Sequence, residues 1–216
     1  MQSGDSDRSR FERLTAEIER LPLAPSVLGG LGSFVGGYAL FVALVTVSGN
    51  VNYSNPVAVL KQLGSLFYNA HNVPLLRYRE ITVGGEPVSQ QAMINLLQQA
   101  DPSLPRPVYY AVPVVAIAIG AAVLVARYVD TGEPVKTTAS VVGGMALGYV
   151  LAALVGSFLV AQRTTLESAF ETLSPAPVET LAFGVAYPVL VTLLIGGAFV
   201  GWTRWRSADG LPSTQA

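Results

Sequence analysis

His71 is the only histidine in the chain, and it stands four residues after Phe67 in the stretch Ser54–Leu76, SNPVAVLKQLGSLFYNAHNVPLL. An imidazole is the one side chain that titrates unperturbed near neutrality, so it is the sole neutral-pH candidate for a base that would activate a Ser or Thr nucleophile. Its surroundings in sequence do not supply the rest of such a site. There is no Gly-x-Ser-x-Gly elbow and no GxxxxGK loop after a strand. With no cysteine, thiolate chemistry, disulfides and Cys-based metal sites are excluded, and one histidine does not supply the ligand cluster a metal centre needs. His71 therefore reads as a structural residue at an interface, its ring nitrogens bridging Asn69, Asn72 or backbone groups. No catalytic, cofactor-binding or metal-binding residue is assigned, no cofactor is expected, and the chain reads as a non-enzyme.

The elements around this histidine are set by composition. The chain is 51% hydrophobic and only 12% charged, about half the charged share of a soluble domain. Four apolar stretches carry the excess: 26–48, 108–128, 139–161 and 181–202. Each has about the 20 residues needed to cross the hydrocarbon of a bilayer. No Asp, Glu, Lys, Arg or His lies in the middle of any of them, which argues against ion-coupled transport and proton relays. Their polar groups are hydroxyls, which can bond within a helix or to a neighbour. Tyr149 and Tyr187 stand out, because a phenol at mid-membrane needs a partner.

The expected fold is an all-α integral membrane protein. Four transmembrane helices form a bundle over 25–203, with an extracytoplasmic cap of amphipathic helices, 49–107, between spans one and two. Residues 1–24 form a cytoplasmic segment in which Ser9–Leu21 reads as a short amphipathic helix, and 204–216 a cytoplasmic tail. The leading segment is long and acidic as well as basic, which does not suit a signal peptide. Arginine and lysine are more frequent in the first, third and fifth segments between spans, placing both termini in the cytoplasm of a multi-pass cell-membrane protein. A net charge of −1 does not point to nucleic acid.

Small residues recur at four-residue spacing within the spans: Gly32 and Gly36, then Gly144, Gly148 and Gly156, then Gly197 and Gly201. Such rows allow close helix packing in lipid. They serve contacts inside the chain or a contact with a second copy.

Within the cap, Asn55 and Pro56 suit the start of a helix over Pro56–Ala70. Val59, Leu60, Leu63, Leu66, Phe67 and Ala70 fall on one face, the pattern of a helix lying on a membrane surface or capping a bundle. Lys61, Gln62, Ser65, Tyr68 and Asn69 fall on the other. Of these, Lys61, Gln62, Ser65 and Tyr68, with His71, are the candidate contact surface for a membrane-protein partner or a second copy. Tyr78–Val83 reads as a short strand, Gly84-Gly85 as a turn, and Ser89 to about Ala100 as a second amphipathic helix. Gln162 to Thr180 is expected to prolong span three by several turns. Asn52-Tyr53-Ser54 is a glycosylation sequon on the outer side. Pro113 and Pro188 lie inside spans two and four and should bend them.

Phe67-Tyr68-Asn69-Ala70-His71, downstream of a glycine-rich span containing Gly37-Tyr38, resembles a family of small four-span membrane proteins of halophilic archaea. The family has no assigned function, and some members carry a loose transporter label. The resemblance implies a four-span plan and brings no catalytic residues. The functional expectation is a structural or interaction subunit acting through its extracytoplasmic cap, with a small permease or channel subunit as the alternative.

Overall fold

The computed structural model describes residues 21–48, 55–84, 86–99, 103–129, 132–166 and 169–208. The expected Ser9–Leu21 helix and the Asn52 sequon lie outside them. Four helices are long and apolar enough to cross a membrane: α1 Leu23–Val47, α4 Arg106–Tyr128, α5 Pro134–Val160 and α6 Pro177–Ala208. They coincide with the four apolar stretches. Prolines open three of them, at Pro134, Pro177 and the second position of α4, where a missing N–H costs nothing. α1 packs on α5 and α4, and α6 packs on the same two from the other side.

The closest approach is between α1 and α5. A methyl on Gly148 would overlap the Val27 carbonyl, one on Gly30 the Met145 carbonyl, and one on Gly144 would lie 2.6 Å from Ser26 Cβ. The backbones can meet only because these positions lack a side chain. Gly156 is also filled, by the Tyr68 hydroxyl at 2.7 Å. Gly32, Gly36, Gly197 and Gly201 face open space instead, so on α1 the contact with α5 uses Gly30, while Gly29 and Gly37 meet Leu124 and Ala116 of α4 and the Gly32/Gly36 pair is not used. Below this seam the core is dense. Phe41, Ile117, Met145 and Tyr149 are fully buried, and Thr192 of α6 donates to Met145 Sδ at 3.2 Å.

A shorter helix, α2 Pro56–Ala70, forms as its sequence implies, with the Asn55 side chain accepting from Ala58 N at 3.2 Å. It does not lie flat across the ends of the others. Lys61 Nζ donates to Ala161 O at the end of α5, Tyr68 Oη donates to Ala153 O one register down, and His71 reaches Tyr149. α2 thus runs antiparallel to α5 and inward between the long helices. Its last turn lies about 16 Å short of the end of α5, at 1.5 Å per residue.

The expected strand Tyr78–Val83 is present within a longer one, but the helices expected elsewhere in the loops are replaced by strands. β1 Leu75–Val83, β2 Glu86–Ile94, β3 Gln162–Leu166 and β4 Ala169–Pro175 form one antiparallel sheet in the order β2-β1-β4-β3. The expected helix from Ser89 to Ala100 is replaced by β2 and a single turn, α3 Leu96–Gln99. Gly84, at φ +63°, turns the chain so that Val83 opposes Glu86. The nine-residue ladder this sets up outweighs the helical spacing of Ala92, Met93, Leu96 and Leu97. The expected extension of α5 is likewise a hairpin, in which the β-branched Thr164 and Thr165 suit extended backbone. β1 pairs with β4 from Leu75↔Pro175 to Ile81↔Ala169, which joins the two loops into one unit. Arg77 grips Glu171 with two nitrogen–oxygen contacts of 3.0 Å across this junction.

Candidate functional site: the tip of α2

The end of α2 is a Schellman stop. Val73 N donates to Tyr68 O at 3.1 Å, Asn72 N to Asn69 O at 3.0 Å, and Asn72 takes the left-handed conformation with φ 59°. Asparagine is one of the few residues other than glycine that enters this region readily. Pro74 follows and cannot continue the helix. The stop aims each side chain of the segment in a different direction.

Asn69, with no exposed surface, accepts from Leu96 N at 2.7 Å and donates to Val73 O at 2.8 Å. It locks the helix tip to the start of α3. His71, 3% exposed, turns back along the helix, and its Nδ1–H donates to Phe67 O at 2.8 Å. A carbonyl can only accept, so the proton sits on Nδ1 and Nε2 accepts from the Tyr149 hydroxyl. Asn72 Nδ2 donates to Tyr187 Oη on α6 at 2.9 Å. Phe67 packs edge-on against His71 with ring centroids 4.5 Å apart, and against Phe34 and Phe41 of α1. One seven-residue segment therefore ties together α1, α3, α5 and α6.

Burial pushes the His71 pKa down to about 4, the Phe67 carbonyl opposing the shift only in part. The ring is neutral at physiological pH. Burial also pushes the Tyr68 phenol up, so it stays protonated as a donor. Tyr149 flanks the imidazole, with Tyr68 and Tyr187 rings 6.5 and 6.0 Å from it. Among the described residues, no group of three His, Cys, Asp or Glu side chains is placed to hold a metal ion. A neutral imidazole between a carbonyl and a phenol is a hydrogen-bonded clamp.

The five candidate contact residues do not share one accessible face. Ser65 and Tyr68 are 1% and 2% exposed, and His71 is enclosed. Ser65 bonds Lys61 O and accepts from Gln162 Nε2. Lys61 is half-buried and only Gln62 is exposed, while Leu60 from the apolar face is 49% exposed. The helical wheel assumed one burying surface, but α2 is wedged between several helices and buries most of its circumference. His71 meets a backbone group as expected, the Phe67 carbonyl, but its second partner is Tyr149 rather than a neighbouring asparagine side chain. The requirement that a mid-helix phenol find a partner pointed to Tyr149 and Tyr187. The sequence signal for the stop was Asn72 followed by Pro74.

No curated protein and no solved structure matches the chain. Residues 6–204 match a family described as a family of unknown function, DUF7978, and the chain belongs to that family.

Proposed function

We propose that this is a multi-pass membrane protein whose four long helices form a transmembrane bundle, with the β-sheet as an extracytoplasmic module and both termini in the cytoplasm. It works as an interaction subunit through that module and carries out no reaction. The observation that carries this reading is β2. Among the described residues it is hydrogen-bonded to β1 on one side only, it is a sheet edge, and every residue from Glu86 to Met93 is exposed. A long edge strand with free backbone groups is a template for an extended segment of a partner. Asn69 and the Ala176 N→Pro74 O bond of 3.0 Å hold the sheet to the helices, so the edge is presented by a fixed base.

Orientation is tested with single cysteines at Ser3, Gln98 and Ser213 of this cysteine-free chain. A membrane-impermeant thiol reagent on intact cells should label only position 98. The interaction role is tested with a photo-crosslinking residue at Gln90 in native membranes, where a discrete adduct is expected. The same residue at lipid-facing Val123 should give none. Absence of an adduct at 90 removes β2 as the contact.

A solute path is the second reading. It is favoured by α2, which ends at polar side chains among the long helices, as interrupted helices do in transporters. Uptake into proteoliposomes that is lost in Asn72→Leu would favour it over the interaction role.

A further inference from the structure

α1 and α5 touch along their glycine seam and then diverge, and α2 fills only part of the gap. What remains is an apolar groove of about 580 Å³, floored by Leu60 and Gly64 of α2. Val35 of α1 and Val155 and Leu159 of α5 form its walls and are 61%, 60% and 68% exposed. It runs from Lys61 and Val160 to Leu31 and Leu151, about 14 Å along α5 at 1.5 Å per residue.

Three side chains on its lining carry polar atoms. Tyr38 Oη is spent on Leu60 O at 2.8 Å, and Tyr68 Oη on Ala153 O. The third is Lys61, at the end of the groove nearest the sheet. Its ammonium donates to Ala161 O at 3.1 Å. That carbonyl is neutral, and among the described residues no carboxylate pairs with Lys61. The ammonium has two further donors and an unbalanced charge.

We propose that this groove is a binding site for an anionic membrane phospholipid, one acyl chain lying between α1 and α5 and its phosphate meeting Lys61. Apart from Lys61 the lining offers nothing to hydrogen-bond, which suits an acyl chain. The one uncompensated charge sits where the headgroup of a lipid in the sheet-side leaflet would be. A lysine ammonium at this depth pairs with a phosphate as a point charge. The inference rests on the membrane placement above and is independent of the role of β2.

The test is the melting temperature of the full chain in a neutral detergent, with added phosphatidylglycerol or phosphatidylcholine of the same acyl chains. Phosphatidylglycerol should raise it more. Lys61→Gln should abolish that difference while Lys61→Arg keeps it. Val155→Trp, which fills the groove from an exposed position, should blunt the response to both lipids. Equal stabilisation by the two headgroups in the parent chain, or an undiminished preference in Lys61→Gln, would overturn the assignment. So would an unchanged lipid response in Val155→Trp. The crosslinking at Gln90 does not involve this groove, so the two readings fail separately.

Discussion

Tyr149 donates its hydroxyl proton to His71 Nε2, and this bond joins the tip of α2 to the middle of α5. The acceptor is buried and its other nitrogen is committed to Phe67 O, so it has no second way to be satisfied. Tyr149→Phe keeps the ring that packs edge-on against Phe34, with centroids 5.3 Å apart, and removes only the donor. Leaving a buried acceptor unpaired costs about 1–3 kcal/mol. Thermal melting in detergent should fall accordingly. Tyr187→Phe, whose partner Asn72 is exposed, should cost much less.

Stability should depend on pH through the same histidine. Its folded pKa of about 4 lies below the ordinary 6.5, so the unfolded chain takes up the proton first as pH falls. The neutral ring contributes its full stabilisation above pH 6.5. That contribution declines between 6.5 and 4 and is gone below, a loss of at most about 3 kcal/mol. Melting curves at pH 7.5 and 5 should separate in the parent chain. The separation should shrink in His71→Gln, which has no proton to take up. A pH response of equal size in that variant would place the sensitivity in the carboxylates.

The four long helices were legible because length and hydropathy are local properties, and α2 because Asn55-Pro56 signals its start. Of the sheet only the strand over Tyr78–Val83 was legible, since β1 and β4 lie nearly a hundred positions apart and their pairing is a tertiary fact. The expected turn was found at Gly84, but the apolar spacing after it matched a helix just as well. Site legibility divided the same way. Tyr149 and Tyr187 could be singled out as phenols in need of partners, yet nothing in the spacing told which residue each would meet. The direction of α2 was invisible too. A wheel shows which face is apolar, but not that Ser65 and Tyr68 on the other face are covered by α5 and the start of β3.

The close seam between α1 and α5 gives a contrast within one residue type. Gly148→Ala would drive a methyl into the Val27 carbonyl, a backbone atom that cannot swing aside. Overpacking of this kind costs about 1–3 kcal/mol, and Gly148→Leu should cost more. Gly32→Ala meets nothing within 4 Å and should melt like the parent or slightly higher, since alanine favours helix. Equal loss in the two alanine variants would mean that Gly32 is covered by a second copy.

The union of the two loops can be tested without any partner. Tyr78 and Thr172 face each other across β1 and β4, and the natural chain has no cysteine to interfere. Opposed residues on antiparallel strands bring their Cα atoms within about 4.5–5.5 Å, inside the range a disulfide spans. Tyr78→Cys with Thr172→Cys should therefore oxidise to an internal bridge, visible as a faster-running band that reverts on reduction. Moving one cysteine by a single position, to Leu173, turns it to the opposite face and should prevent bridging. Efficient bridging of the displaced pair, or none in the matched pair, would show that β1 and β4 are not paired in this register. The two loops would then have to be attached to the helices independently, and β2 would lose the fixed base from which it is presented.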